Sequence, residues 1–339
     1  MQTLVCIEPG VVEYRSAGLP VLKPGHAIVR IKRVGICGTD IHAFGGTQPF
    51  FEYPRILGHE LAGDVIEADK TGNLKPGDAV TILPYFNCGE CMACRSGKPN
   101  CCVRLQVLGV HIDGGMAEYI QVPSGSLIRA TGLDYDALSL VEPLSIGAHA
   151  VSRAAMAEGQ TVLVMGAGPI GLAVMDFARI AGAVIIAMDV NLARLQFCRD
   201  TLRADYVVDP AREKAEDRLL DITSGSMPAV VVDATGNLQA LNQGFHYMSH
   251  GGTYVLVGLQ KDEIRFSHPA FHKREGTLMS SRNALRKDFE RVIRCIQEEK
   301  INPKEYITGR VAFRDIEKES KTLLGPPSGA GIKTLVEMG

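Results

Sequence analysis

The chain has 339 residues, 46% apolar and 22% charged, a composition that excludes intrinsic disorder, collagen and long coiled coil and a length that predicts two domains. Its 36 Lys and Arg nearly balance 38 Asp and Glu, so there is no basic footprint for nucleic acid or an anionic membrane, and neither is expected as a partner. No apolar run reaches the ~18 residues of a membrane span, and MQTLVCIEPG is no secretory leader, so a cytoplasmic location is expected.

From the amino terminus, short β-like runs come first: 26–36, 60–68, 78–86 and 116–122, separated by turn signals such as KPG and KPGD. They predict an antiparallel, barrel-like β unit. Between them lies a polar stretch with five of the nine cysteines, Cys88, Cys91, Cys94, Cys101 and Cys102. Residues 137–157 have helical spacing, interrupted around Glu142-Pro143. Strands at 161–166, 183–189, 205–210, 229–236 and 252–258 then alternate with helices at 169–182, 191–202 and 238–249. That alternation predicts an α/β, doubly wound parallel sheet. A helix at 288–300 and a strand at 332–338 close the chain. The expected division is 1–148 for the β-rich domain, with its cysteine lobe at 86–104, then 149–287 for the doubly wound domain, with 288–339 returning to the first.

Two motifs carry chemistry by themselves. Gly166-Ala167-Gly168-Pro169-Ile170-Gly171 follows a predicted strand and opens a predicted helix, and Asp189 ends the next strand. This is the Rossmann dinucleotide pattern: a tight turn, close backbone approach of a pyrophosphate to a helix N-terminus, and an acid for the ribose hydroxyls. The negative charge of Asp189 favours NAD over NADP, with Arg194 near enough to soften the preference. The second motif is Cys88-x2-Cys91-x2-Cys94 followed by Cys101-Cys102. Four thiolates at such spacing suit a closed tetrahedral zinc site bracing a loop. An iron–sulfur cluster is the competing metal, and spacing does not separate Cys102 from Cys101.

Three further pieces are weak singly: GICGTDIH at 35–42, GHE at 58–60 and EP at 142–143. In this order, with KPGDAV, the cysteine lobe, GAGPIG and the later acid, they make the sequence resemble the zinc-dependent medium-chain dehydrogenase/reductase family over essentially its whole length. The likeness is to the sorbitol and threonine dehydrogenase branch and, through VLGVHIDGGMAEY and SSRNALRKDF, to bacterial sugar-acid and polyol dehydrogenases. The resemblance implies a GroES-like catalytic domain beside the Rossmann domain, and two zinc ions and NAD per subunit. It implies a catalytic zinc held by Cys37, His59 and Glu60, with Glu142 binding its water or exchanging onto it, and a structural zinc on Cys88, Cys91, Cys94 and Cys102.

The implied reaction oxidises a secondary alcohol of a sugar acid or polyol by hydride transfer, zinc lowering the hydroxyl pKa, Thr39 receiving the proton and His42 relaying it. Arg282 and Asn283 resemble polyol-binding residues, His111 a pocket wall, and Phe50 and Phe51 follow the first metal loop. L-threonine and sugar phosphates are rival substrates. A catalytically silent relative is the rival from another class, and retention of the four catalytic-site donors weighs against it. A homodimer or homotetramer is implied, joining sheets through a strand such as GTYVLVG at 252–258.

Overall fold

The computed structural model describes residues 1–69, 73–325, 329 and 331–339. By contact density it divides into one unit of Met1–Glu142 with Leu285–Gly339 and another of Pro143–Ala284.

In the first unit, β1 (Gln2–Glu8) and β2 (Val11–Ser16) form a hairpin, followed by β3 (His26–Gly35), α1 (Gly38–Phe44), β4 (Arg55–Ile56), β5 (Glu60–Ala68), β6 (Ala79–Ile82) and β7 (Tyr85–Phe86). Then come α2 (Met92–Arg95), β8 (Gln106–Val107), β9 (Tyr119–Pro123), β10 (Leu127–Arg129) and the start of α3 (Tyr135–Arg153). Strand β3 is central. Ala27, Val29 and Ile31 point inward with the two-residue period of a strand, and all are at most 1% exposed. The ladder to β5 then shifts between Ile31 and Arg33. This bulge resets the phase, so that Val34 is the next sealed residue and Gly35 faces Glu60.

The helix reading at 137–157 is corrected at one point, because α3 runs unbroken through Pro143. A proline there removes one helical hydrogen bond. The flanking residues from Leu138 to Ser145 are all buried, and packing outweighs that loss.

The second unit holds β11 (Thr161–Met165), α4 (Pro169–Ile180), β12 (Val184–Met188), α5 (Leu192–Asp200), β13 (Tyr206–Val208), α6 (Ala215–Ile222) and β14 (Val230–Asp233). It continues with α7 (Leu238–Gly244), β15 (Thr253–Leu256), α8 (His268–Lys273) and β16 (Thr277–Ser280). Among the described residues its strands form one parallel sheet in the order β13-β12-β11-β14-β15-β16. Val162, Leu163, Val164, Ile186, Val231 and Val232 are fully buried, as expected of strands covered on both faces. The strand proposed from sequence for joining subunits, β15, lies inside the sheet. The edges are β13 and β16, and β16, the edge next to β15, is a strand the sequence reading did not find.

The chain then returns to the first unit through α9 (Arg286–Gln297), β17 (Ile307–Ala312), α10 (Ile316–Leu323) and β18 (Lys333–Glu337). There β18 inserts between β3 and β17, giving a sheet ordered β10-β6-β5-β3-β18-β17, with β9 also on β3. The β17–β18 pair is parallel, so the sheet is mixed rather than wholly antiparallel.

Candidate active site

Cys37, His59 and Glu60 converge in the first unit, with one donor atom from each lying within 4.8 Å of the others. Local backbone explains the meeting. Cys37 caps α1, and its amide donates to Asp40 Oδ2 at 2.8 Å. The other oxygen of Asp40 accepts the Gly58 amide at 3.1 Å. One buried carboxylate therefore ties the loop carrying Cys37 to the loop carrying His59. Gly58 has φ +95°, a left-handed conformation suited to glycine, and a Cβ there would lie 2.9 Å from Val34.

His59 Nδ1 is buried without a hydrogen-bond partner. Burial opposes charge on His59, but Cys37, Asp40 and Glu142 raise its pKa well above the usual value. A half-buried soft thiol, a buried imidazole and a buried carboxylate form a donor set that fits zinc.

Glu142 stands just outside this group. Its carboxylate accepts the Tyr85 hydroxyl. Burial, opposed by His59 and reinforced by Glu60, pushes its pKa up to about 7. Glu60 is also paired with a buried lysine, because Lys333 Nζ lies 2.7 Å from each of its oxygens. Asp40, Tyr85 and Lys333 were all missed from sequence. Asp40 stands inside the GTDIH motif and was the one with a local signal.

The cysteine lobe gathers Cys88, Cys91, Cys94 and Cys102, while Cys101 is exposed and lies outside the group. The sulfur separations of 3.4, 3.5 and 4.0 Å bracket the edge of about 3.8 Å that a tetrahedron with Zn–S near 2.3 Å requires. Backbone amides point at these sulfurs: Cys91 to Cys88 at 3.4 Å, and Cys88 and Arg104 to Cys102 at 3.3 Å. Backbone hydrogen bonds lower the Cys88 thiol to about 6 and lower Cys91 as well, whereas burial pushes Cys94 up to about 11, so the backbone favours thiolate at Cys88 and Cys91.

In the second unit the GAGPIG turn joins β11 to α4 at the point where the strand order reverses. Gly166 has φ +96°, and a Cβ at Gly171 would lie 1.8 Å from the Gly166 carbonyl oxygen, so both glycines are required. A Cβ at Gly168 would meet only Arg194 Nη1, at 3.9 Å, which leaves the helix N-terminus open as a dinucleotide phosphate needs. Pro169 and Ile170 form the first turn of α4. Asp189 is held by the amides of Ala167 (2.6 Å) and Asn191 (2.8 Å).

The remaining candidates fall in both units. Thr39 lies in the first turn of α1. His42, one turn on, has Nδ1 2.9 Å from Thr47 Oγ1. His111 accepts the Val107 amide at 3.1 Å and stacks on Phe50 with ring centroids 6.3 Å apart. Phe51 instead packs on Tyr53. Arg282 and Asn283 follow β16 in the second unit. Asn283 has φ +53° and a buried amide nitrogen with no hydrogen-bond partner.

Residues 23–132 match the alcohol dehydrogenase GroES-like domain, and residues 169–298 match the zinc-binding dehydrogenase domain. The chain belongs to the zinc-binding alcohol dehydrogenase family. It is 45% identical over 92% of both chains to L-galactonate-5-dehydrogenase of Escherichia coli K12. It superposes with a TM-score of 0.93 on an alcohol dehydrogenase of E. coli CFT073 complexed with NADH, 27% identical and covering 100% of this chain and 99% of that one. L-idonate 5-dehydrogenase of E. coli K-12 shares the fold, with a TM-score of 0.89 at 24% identity over 99% and 98% of the two chains. The mixed β sheet of this zinc-binding alcohol dehydrogenase is therefore its GroES-like domain, and the parallel sheet its Rossmann domain. Among the described residues no helix is long and apolar enough to cross a membrane.

Proposed function

We propose that this oxidoreductase converts a secondary alcohol of a sugar acid, L-galactonate or a close relative, to the ketone with NAD as hydride acceptor. The observation that carries the reading is the 45% identity, over 92% of both chains, to L-galactonate-5-dehydrogenase. The grouped donors of Cys37, His59 and Glu60 supply the site for the chemistry.

Cys37, His59 and Glu60 would hold a catalytic zinc, with Glu142 beside them, and Cys88, Cys91, Cys94 and Cys102 a structural one. When bound, zinc supplies a Lewis acid that makes a substrate hydroxyl more acidic, and NAD supplies the hydride acceptor. Thr39 takes the hydroxyl proton, and His42 passes it to solvent from an exposed turn of α1. The open turn at Gly166, Gly168 and Gly171 receives the pyrophosphate. Asp189 accepts from the ribose hydroxyls and repels a 2′-phosphate, with Arg194 alongside.

Arg282 pairs the substrate carboxylate through its planar guanidinium. The unpartnered amide of Asn283 donates to a substrate hydroxyl, and Phe50 against His111 forms the apolar wall. The uncovered edge of β16, with Leu278 exposed, joins copies into a homodimer or homotetramer. The free cysteines suit a reducing cytoplasm.

The test is NADH formation by zinc-loaded protein on aldonates, alditols, L-threonine and sugar phosphates, with Cys37→Ser as control. Turnover of L-galactonate, absent for the matching alditol and lost in the control, is the expected result. Turnover confined to alditols, threonine or phosphates overturns the sugar-acid reading. Full zinc content and measurable NAD binding without any turnover would favour the silent relative.

A further inference from the structure

Lys333 is 3% exposed and Glu60 is sealed from solvent. Each opens a strand flanking β3: Glu60 begins β5, and Lys333 begins β18. The two ladders put Gly35 opposite Glu60 on one side and Leu335 on the other. A Cβ at Gly35 would lie 2.0 Å from Glu60 Oε2. The bare glycine thus leaves the space in which the carboxylate of one strand meets the ammonium of the other. Lys333 Nζ lies 2.7 Å from both Glu60 oxygens and 3.0 Å from the Ile36 carbonyl oxygen. The two carboxylate oxygens share the ammonium side that faces them, and the Ile36 carbonyl takes another proton. Lys333 is almost sealed from solvent, and the charged group it bonds is Glu60, so its effect acts through Glu60.

Glu60 also has a donor oxygen within 4.8 Å of donors on Cys37 and His59. A metal held by that cluster would therefore share its buried carboxylate with Lys333. We propose that Lys333 is a positioning residue that competes with the metal for Glu60 across the gap left by Gly35, and so weakens the hold of Cys37, His59 and Glu60 on that metal. The proposal rests on reading this cluster as a metal site. Like charges repel strongly where water is excluded, so an ammonium bonded to a ligand oxygen opposes a dication at the same oxygen. The cost of removing Lys333 falls on the metal-free protein, in which Glu60 would be left buried and unpaired. A merely structural lysine predicts lower stability and no gain in metal affinity.

The experiment is zinc competition with a chromophoric chelator on full-length protein. The equivalent lost in Cys37→Ser is assigned to this cluster; if Cys37→Ser loses none, the metal-site reading itself fails and the proposal with it. For Lys333→Met the expected result is at least tenfold tighter zinc in that equivalent, with the cysteine-lobe equivalent unchanged and the metal-free protein less stable. In a Glu60→Gln background the tightening should shrink to less than threefold, because the contested oxygen pair is gone. Lys333→Gln keeps a donor for the Ile36 carbonyl and gives the same reading should the methionine variant not fold. Affinity unchanged within threefold, or weaker, in the folded variant overturns the proposal. So does equal tightening with and without Glu60.

Discussion

Asp40 accepts the amide of Gly58 at 3.1 Å while its second oxygen takes the amide of Cys37, so one side chain fixes the backbone on which two metal-site donors ride. Hydrogen bonds from backbone amides to a buried carboxylate contribute about 1.5–3 kcal/mol each in favourable settings. Asp40→Asn keeps the size but sets an NH2 group against one of those amides. The expected outcome is a loss of about 1.5–3 kcal/mol in unfolding free energy together with release of the zinc equivalent that depends on Cys37. Metal content and denaturant unfolding measured on the same sample check both. Retained zinc with unaltered stability would show that the two loops are held by other contacts.

In the cysteine lobe, neighbouring thiols should behave as opposites. Cys102 is buried within the sulfur group, and Cys101 is exposed outside it. Cys102→Ser is expected to lose one zinc equivalent and to lower the thermal midpoint by several degrees, since this loop has little apolar core to hold it. Cys101→Ser should change neither. Zinc loss from the Cys101 variant, with none from the Cys102 variant, would reverse the assignment.

These contrasts mark how far sequence could reach. The cysteine lobe and the GAGPIG turn were legible because each is a local pattern whose spacing already states the geometry. Even so, spacing left Cys101 and Cys102 equivalent, and the folded loop separates them by burial. Lys333 was illegible because its partner lies 273 residues away and no local signal distinguishes it from a solvated lysine. Its role depends on β18 inserting beside β3, a pairing set by the whole sheet. The unbroken α3 was misread because proline propensity is a local rule that burial of both flanks overrides. The edge at β16 was missed because Thr277-Leu278-Met279-Ser280 is short and mostly exposed, without the apolar run that marked the inner strands.

Asp189 makes the cofactor preference testable. Its two oxygens already accept the amides of Ala167 and Asn191, and their remaining lone pairs are available to ribose hydroxyls. Asp189→Asn removes the charge and one acceptor. Loss of a charge-assisted hydrogen bond, about 1.5–3 kcal/mol, corresponds to roughly 10–100-fold in kcat/KM for NAD. NADP should lose less, because the repulsion of a 2′-phosphate disappears while Arg194 stays near the turn. Ratios of kcat/KM for the two cofactors decide the matter. An unchanged ratio would remove Asp189 from cofactor selection.

Acid sensitivity of the GroES-like unit should centre on Asp136, at the start of α3. Arg33 Nε lies 2.7 Å from its Oδ1, and Arg310 Nη2 lies 2.5 Å from its Oδ2, so α3, β3 and β17 meet at one carboxylate. Burial alone would raise the Asp136 pKa, but the hydrogen bonds from Arg310 and Arg33 outweigh it and hold the group below the usual carboxylate value. A folded-state pKa below the unfolded one means that folding is favoured while the group is ionised. The stabilisation is complete above the unfolded value of about 3.9 and disappears as pH falls through the lower folded value. Asp136→Asn should therefore cost about 1–3 kcal/mol at pH 7, and the gap to the parent protein should narrow steadily as pH falls below the unfolded value of about 3.9. Taking the difference between the two proteins at each pH cancels the loss of zinc in acid, which both share. A gap that stays constant from pH 7 to pH 3 would mean that Asp136 contributes through packing rather than through its charge.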